Sequence, residues 1–404
     1  MYGLVLEGGG ARGSYHIGVY KALMEEGIEI KGVVGTSVGA LNGAMIVQGD
    51  YDKCYELWNK ITYSMVVDVN DEDIEKIIQL KLGREDLRFI KEKIKEFIGH
   101  KGFDITPLKK LLDEYIDEEK IRNSGMDFGI VTVNLTDFKP LYMFIEDIPK
   151  GELTQYLLAS AYLPFFKSEK LGGKRFIDGG FYDNLPYRML LKKGYRDLIL
   201  VRTHAMGITR RIRMPNTNAI IISPSGDLGK SIEYDSKRAR KNIKMGYYDG
   251  LKAIRGLKGR KYYIVPKEDK DYYFQFLLKI KDEDIRELQR VLKLPEIPYK
   301  RSLFEDIIPR ICSILYIDKN YDYEDILIYL LEKKAEKCKI DRYKIYTFEE
   351  LLSLVANSKS KISDEGESNP LSKIIEKVDI LPIFNREEVI LEVANIIFGY
   401  DNCN

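Results

Sequence analysis

Two short apolar runs near the start of this chain each end in a glycine-rich turn, and each turn opens a helical stretch. The first is Tyr2-Gly3-Leu4-Val5-Leu6-Glu7, then Gly8-Gly9-Gly10-Ala11-Arg12-Gly13, then residues 14–26 with Ile17, Tyr20, Leu23 and Met24 on one side. The second covers residues 28–34, then Gly35-Thr36-Ser37-Val38-Gly39, then the small, helix-compatible residues 40–47. Strand, glycine loop, helix, strand is the opening of a βαβ unit. The expected fold class is therefore α/β with a mainly parallel sheet.

Gly35 to Gly39 reads Gly-x-Ser-x-Gly at a change from strand to helix. A serine on such a turn has its hydroxyl pushed clear of the sheet, and flanking glycines let the backbone turn without a clash. Free amides at the helix start favour an oxyanion formed when the serine attacks an ester carbonyl. By themselves the five residues fit a nucleophile or an ordinary glycine turn carrying a serine. Gly8, Gly10 and Gly13 also satisfy the spacing of a dinucleotide-binding loop. A ribose would want an acid closing the second strand, and this strand closes on Val33-Val34-Gly35-Thr36-Ser37. The glycine loop then has another use, as backbone amides presented to a transient anion. A non-catalytic nucleotide-binding or regulatory protein is the alternative from another class.

A serine needs a base. The chain has 3 histidines, His16, His100 and His204, and only His204 follows a strand. The other option is a carboxylate acting directly. Arg175-Phe176-Ile177 reads as a brief strand that delivers Asp178-Gly179-Gly180, where the glycines let backbone approach and turn. Alone, Asp178 is equally a turn aspartate.

Strands are expected over residues 128–135 and 141–145, joined by a turn near Asp137, and over 198–202, 219–222 and 262–265. Helices are expected over 50–61, 72–98, from 104 onward, 153–162 and 234–254. After Pro266 helical patterns dominate, over 274–292, 303–315, 323–338, 347–356 and 387–398, with a polar linker at 358–369. The expected division is an α/β domain over 1–265 and an α-helical domain over 266–404. The net charge of +1 gives the whole molecule no sign preference, and no nucleic-acid partner is expected. Residues 207–261, however, hold fourteen Lys/Arg against four Asp/Glu. That excess suits solvated helix faces or a surface meeting an anionic membrane peripherally. Cys54, Cys312, Cys338 and Cys403 form no CxxC pair, so neither a disulfide framework nor a metal site is expected. The uncharged stretch 32–49 holds glycines, Thr36, Ser37, Asn42 and Gln48, which argue against a membrane span, and a cytoplasmic protein is the expectation.

Taken together, the glycine loop, Gly35 to Gly39, Asp178-Gly179-Gly180, Ala159-Ser160-Ala161-Tyr162-Leu163-Pro164-Phe165-Phe166 and Asp183-Asn184-Leu185-Pro186 form an ordered set. In that order the sequence resembles the patatin-like phospholipases over roughly its first 265 residues. The resemblance implies a three-layer α/β/α fold and a Ser-Asp dyad acting on fatty-acyl esters of lipids without a cofactor. Ser37 would be the nucleophile and Asp178 its base. Gly8, Gly9, Gly10, Ala11, Arg12 and Gly13 would form the oxyanion hole, with Arg12 a positive helper. Gly35 and Gly39 would frame the nucleophile. Glu7 stands where the family often has Asp, a departure expected to matter little. Leu163 to Phe166 would line an acyl pocket or simply be core. The resemblance does not reach 266–404.

Overall fold

The structure is a computed structural model that describes residues 1–71, 102–164, 166–167, 170, 172–295, 297–317, 322–358 and 383–398. The helix expected over 72–98, His100, Cys403 and the linker beyond Ser358 lie outside the described residues. Met1–Ile254 and Arg255–Asn404 are two compact units.

The first unit begins β1 (Tyr2–Leu6), α1 (Ser14–Glu25), β2 (Ile30–Thr36), α2 (Val38–Val47) and α3 (Tyr51–Lys60). It continues with α4 (Thr106–Tyr115), α5 (Glu118–Asn123), β3 (Asp127–Asn134), β4 (Lys139–Phe144) and α6 (Leu153–Ser160). Then come β5 (Phe176–Asp178), α7 (Tyr187–Lys192), β6 (Asp197–Val201), β7 (Asn218–Ile222) and α8 (Ser236–Arg255). The sheet order is β4-β3-β2-β1-β6-β7, with β5 also on β3. The pairs from β3 through β7 along that path are parallel, while β4 and β5 run antiparallel to β3.

Strand periodicity explains why helices cover both faces. Val5, Val34 and Val131 point to one side, where Tyr187, Met189 and Leu190 of α7 bury them. Leu6, Val33 and Phe128 point to the other, beneath α2, where a Cβ on Gly43 would sit 3.1 Å from Val33 Cγ1. On that side α1 and α8 cross with their backbones in contact. A Cβ at Gly18 would fall 1.9 Å from the Ile243 carbonyl oxygen, and one at Gly246 2.2 Å from that of Tyr15. Backbone cannot yield as a side chain can. Gly18→Ala is therefore expected to cost about 3 kcal/mol of stability. Gly27→Ala, at φ 66 with nothing within 4 Å of its added Cβ, should cost only about 1 kcal/mol. Urea unfolding of both variants checks this, and equal losses would refute the crossing argument.

The register of β3 positions the site. One edge of β3, from Gly129 to Asn134, is taken by β4. The other edge takes β2 up to Thr36, which pairs Val131, and β5 from Asp178, which pairs Thr132. The two strands meet end to end on that edge. The residue after Thr36 and the last residue of β5 are thereby neighbours.

The second unit holds β8 (Tyr263–Ile264), α9 (Tyr272–Leu278), α10 (Asp282–Val291), α11 (Tyr299–Ser302), α12 (Ile308–Leu315), α13 (Tyr323–Lys337), β9 (Ile345–Tyr346), α14 (Phe348–Asn357) and α15 (Ile383–Phe398). The strand expected at 262–265 does not join the large sheet. It pairs in parallel with β9, and buried Glu332 accepts the amides of Arg260, Lys261 and Tyr262. The division between units accordingly falls ahead of Pro266. Helix 274–292 is broken between α9 and α10, where Lys300 Nζ donates to the carbonyls of Leu278 (2.8 Å) and Ile280 (2.6 Å). Leu277, Leu288, Leu303, Leu327 and Leu331 lie in the core of this unit. Among the described residues no helix is long and apolar enough to cross a membrane.

Candidate active site

Ser37 occupies the turn between β2 and α2 at φ 56 and ψ −128, a region a residue with a side chain rarely enters. What holds it there is backbone contact on both sides. A Cβ on Gly35 would lie 2.3 Å from the Gly39 carbonyl, and one on Gly39 2.3 Å from the Leu6 carbonyl oxygen. The Ser37 amide donates to Ser160 Oγ (2.9 Å), and that hydroxyl donates to the Val131 carbonyl (2.6 Å). Ser160, at the end of α6, thus ties the turn to β3. The sequence offered it only as part of a longer motif.

Asp178 closes β5 beside this turn. Its amide donates to the Tyr162 carbonyl (2.8 Å), and its Oδ1 accepts the Gly180 amide (2.7 Å). The Ser37 side chain acts on the same carboxylate, favouring its charged form. Burial pushes the carboxyl up from 3.8 to about 6, against the opposing pull of the Ser37 side chain and the Gly180 amide. A carboxylate with this affinity for a proton is a better base than a solvated one. Gly179 cannot be larger, because its Cβ would lie 2.3 Å from the Val131 carbonyl oxygen.

The glycine loop is only partly free to bind an anion. The Gly8 amide donates to the Asn184 carbonyl (3.1 Å), that of Ala11 to Ser231 (2.8 Å), and that of Arg12 to Gly9 (3.2 Å). These three amides are spent on the fold, which corrects the expectation that the whole loop forms an oxyanion hole. Gly13 serves packing: a Cβ there would lie 2.4 Å from Val38 Cγ2. The Gly9 and Gly10 amides make no backbone hydrogen bond among the described residues, and Gly10 lines the same cavity as Ser37. At φ 55, with its Cβ position 2.1 Å from the Ser231 carbonyl oxygen, Gly10 must be glycine. Val38, first residue of α2, adds an amide with no acceptor inside the helix.

Arg12 is not a free positive helper. Its guanidinium donates to the carbonyls of Gly229 (2.8 Å), His204 (2.7 Å) and Thr203 (3.3 Å), so it ties the loop down. Glu7 matters more than its sequence position suggested. Fully buried, it accepts from the amides of Thr203 (2.6 Å) and His204 (3.0 Å), the Thr209 hydroxyl (3.1 Å) and the Arg202 guanidinium (3.1 Å). A buried acid between an apolar strand and a glycine loop was the signal for that anchor.

The cavity beside Ser37 is walled by Val38, Leu41, Met45, Leu108 and Leu112, with Leu163 and Phe166 also lining it. Pro164 is exposed, and Phe165 lies outside the described residues. Tyr234 also lines the cavity, its hydroxyl 3.4 Å from where a Gly10 Cβ would be and its ring edge-on to Tyr63 (6.2 Å). Burial, then the Asp178 charge, push its phenol further up, so it stays a neutral donor. No sequence pattern marked it. Among the described residues neither His16 nor His204 hydrogen-bonds Ser37. Burial holds His16 down at about 3, with its Nδ1 3.2 Å from Asn42 Nδ2, while His204 is exposed. No cluster of three metal-ligating side chains occurs among the described residues.

Residues 4–191 match the family model described as "Patatin-like phospholipase". The chain carries a patatin-like phospholipase domain. The match takes in the glycine loop, Ser37 and Asp178. The chain is 29% identical over 203 residues to Lysophospholipase NTE1 of Mycosarcoma maydis, covering 49% of this chain and 9% of that protein. It is 63% identical over 43 residues to Neuropathy target esterase sws of Drosophila persimilis, covering 11% of this chain and 3% of that protein. The chain thus spans less than a tenth of the length of these relatives. The crystal structure of VipD from Legionella pneumophila aligns over 83% of this chain and 82% of its own, at 15% identity and a TM-score of 0.40.

Proposed function

We propose that the patatin-like domain is a serine acyl hydrolase that cleaves fatty-acyl ester bonds of lipids through a Ser37-Asp178 dyad. The observation that carries this reading is a serine on a strained strand-to-helix turn, brought beside a buried carboxylate by the register of β3. Asp178 takes the Ser37 proton as the oxygen attacks the acyl carbonyl. The amides of Gly9, Gly10 and Val38 receive the oxyanion at the start of α2, where the helix dipole favours negative charge. Protonated Asp178 then passes its proton to the departing alkoxide, leaving an acyl-Ser37 ester. Water, deprotonated by Asp178, releases the fatty acid and restores the dyad. The apolar cavity wall supports an acyl chain as the bound group. Both relatives bear names of ester hydrolases, which supports the same class of bond. The nucleotide-binding alternative gains nothing, since the Gly8 and Ala11 amides are donated within the fold.

The reading fixes a pH dependence. Asp178 must be ionised to act as base, and its carboxyl gives up its proton at about 6. Hydrolysis of a chromogenic acyl ester should therefore rise about tenfold per pH unit below that value and level off above about pH 7. A rate that is flat across this range, or that falls as pH rises, would overturn the dyad.

A further inference from the structure

The loop that follows β6 brings exposed apolar side chains and unpaired arginines together at the rim of the site. It leaves the sheet at the same edge as the loops after β1 and β2, because the three strands are parallel neighbours. Its first residues lie on the glycine loop: Thr203 Oγ1 donates to the Gly8 carbonyl (2.6 Å), and Ala205 Cβ is 3.2 Å from the Cβ position of Gly9. It next meets the Asp178 turn, where the Ile208 amide donates to the Gly180 carbonyl (2.8 Å). Between these anchors Met206 is 96% exposed. Ile208 is 55% exposed, and Phe181, next to Gly180, 50%. Single exposed apolar residues are ordinary, but three on two adjoining loops at one site are not.

Beyond them the chain alternates. Ile212 and Met214 pack inward against the core around Tyr187, which leaves Arg211 and Arg213 exposed. The Tyr187 hydroxyl donates to the Arg211 carbonyl and accepts the Arg213 amide, both at 3.1 Å. Exposed Arg188 lies 5.7 Å from the same ring. Arg188, Arg211 and Arg213 make no ion pair among the described residues. The only acid in residues 184–213 is Asp197, at the opposite end of β6.

We propose that this rim, formed by Phe181, Met206 and Ile208 with Arg188, Arg211 and Arg213, is the surface that docks on an anionic lipid bilayer. Apolar tips enter the boundary between headgroups and acyl chains while guanidinium groups stay among the phosphates. The proposal rests on the hydrolase reading in taking the dyad as the point that faces lipid. Helix α8, where the sequence concentrates basic residues, exposes Lys237, Arg240, Lys241 and Lys244, yet has no exposed large apolar side chain to insert.

The test is flotation of the full chain with phosphatidylcholine vesicles, with and without about a third phosphatidylglycerol. Binding should require the anionic lipid and weaken with salt. Replacing Arg188, Arg211 and Arg213 together by Ser should weaken it about 100-fold, at about fivefold per arginine. Met206→Ser with Ile208→Ser should weaken it at least about tenfold. Both variants should hydrolyse a soluble short-chain ester like the parent protein, which reports an intact fold and site. The proposal is overturned by no vesicle binding, by binding equal in all variants, or by binding lost only when the four α8 cations are neutralised. Flotation needs no turnover, so a parent protein that binds vesicles yet hydrolyses nothing would refute the hydrolase reading and spare this one.

Discussion

Ser37→Ala is expected to remove ester hydrolysis by the full chain, lowering kcat by roughly 10⁴ to 10⁶-fold. The size follows from position. In the proposed mechanism this hydroxyl forms the acyl-enzyme, whereas the neighbouring Thr36 hydroxyl is spent on the Asp183 carbonyl, and the donors around Ser37 are held by backbone rather than by its side chain. The hydrogen bond from its backbone amide to Ser160 Oγ and the contacts of Gly35 and Gly39 persist in the variant. The turn should therefore keep its shape, and circular dichroism and unfolding should change little. A fluorophosphonate, which forms a stable ester with an activated serine, should label the parent protein at Ser37 and leave the variant unlabelled. Hydrolysis persisting in Ser37→Ala, or label found on another serine, would overturn the assignment. Labelling is the sharper readout, because it tests the nucleophile without requiring the right lipid.

Much of this arrangement could be read from residue order. The apolar runs at Tyr2 and Ile30 and the glycine turns that follow them dictate parallel strands with helices between. The two strands expected to flank Asp137 are indeed an antiparallel pair. What residue order could not supply is register. That Asp178 continues the edge that β2 leaves depends on β4 occupying the other side of β3, which no local pattern encodes. For the same reason the strand expected at 262–265 carried no sign of its partner, β9. A two-residue strand carries too little pattern to name its partner, and its anchor, Glu332, lies far along the chain.

Side chains that act through distant backbone were equally hidden. Glu7, Arg12 and Ser160 each spend their polar atoms on carbonyls or amides from other segments. Arg12 looked like a charge available to substrate because its carbonyl partners are invisible in one dimension. Tyr234 gave no signal, since a tyrosine ahead of a basic helix fits a surface as well as a cavity. These residues share a logic. The glycines permit close approach, and the polar anchors fix what approaches.

Asp178→Asn should separate the cost of the dyad from its use. Without a base, kcat is expected to fall by at least about 10⁴-fold. Stability should move the other way. The carboxyl binds its proton more tightly in the folded protein, at about 6, than at its ordinary value of 3.8. Its contribution to stability is therefore complete below the lower value and is lost as pH rises through the higher one. A rise from 3.8 to about 6 corresponds to about 3 kcal/mol withheld from the folded state at pH 8. Asparagine keeps the shape and an oxygen to accept from Gly180, and it never has to carry charge in the interior. Urea unfolding at about pH 8 should show Asp178→Asn more stable than the parent by up to about 3 kcal/mol, with the gap closing toward pH 4. Equal stability at the higher pH, or a gap that does not narrow, would mean that burial does not oppose ionisation of Asp178. The sign is the decisive part. An aspartate kept only for turn geometry could be replaced without losing turnover, whereas a base held ready by desolvation should cost stability at the pH where it works.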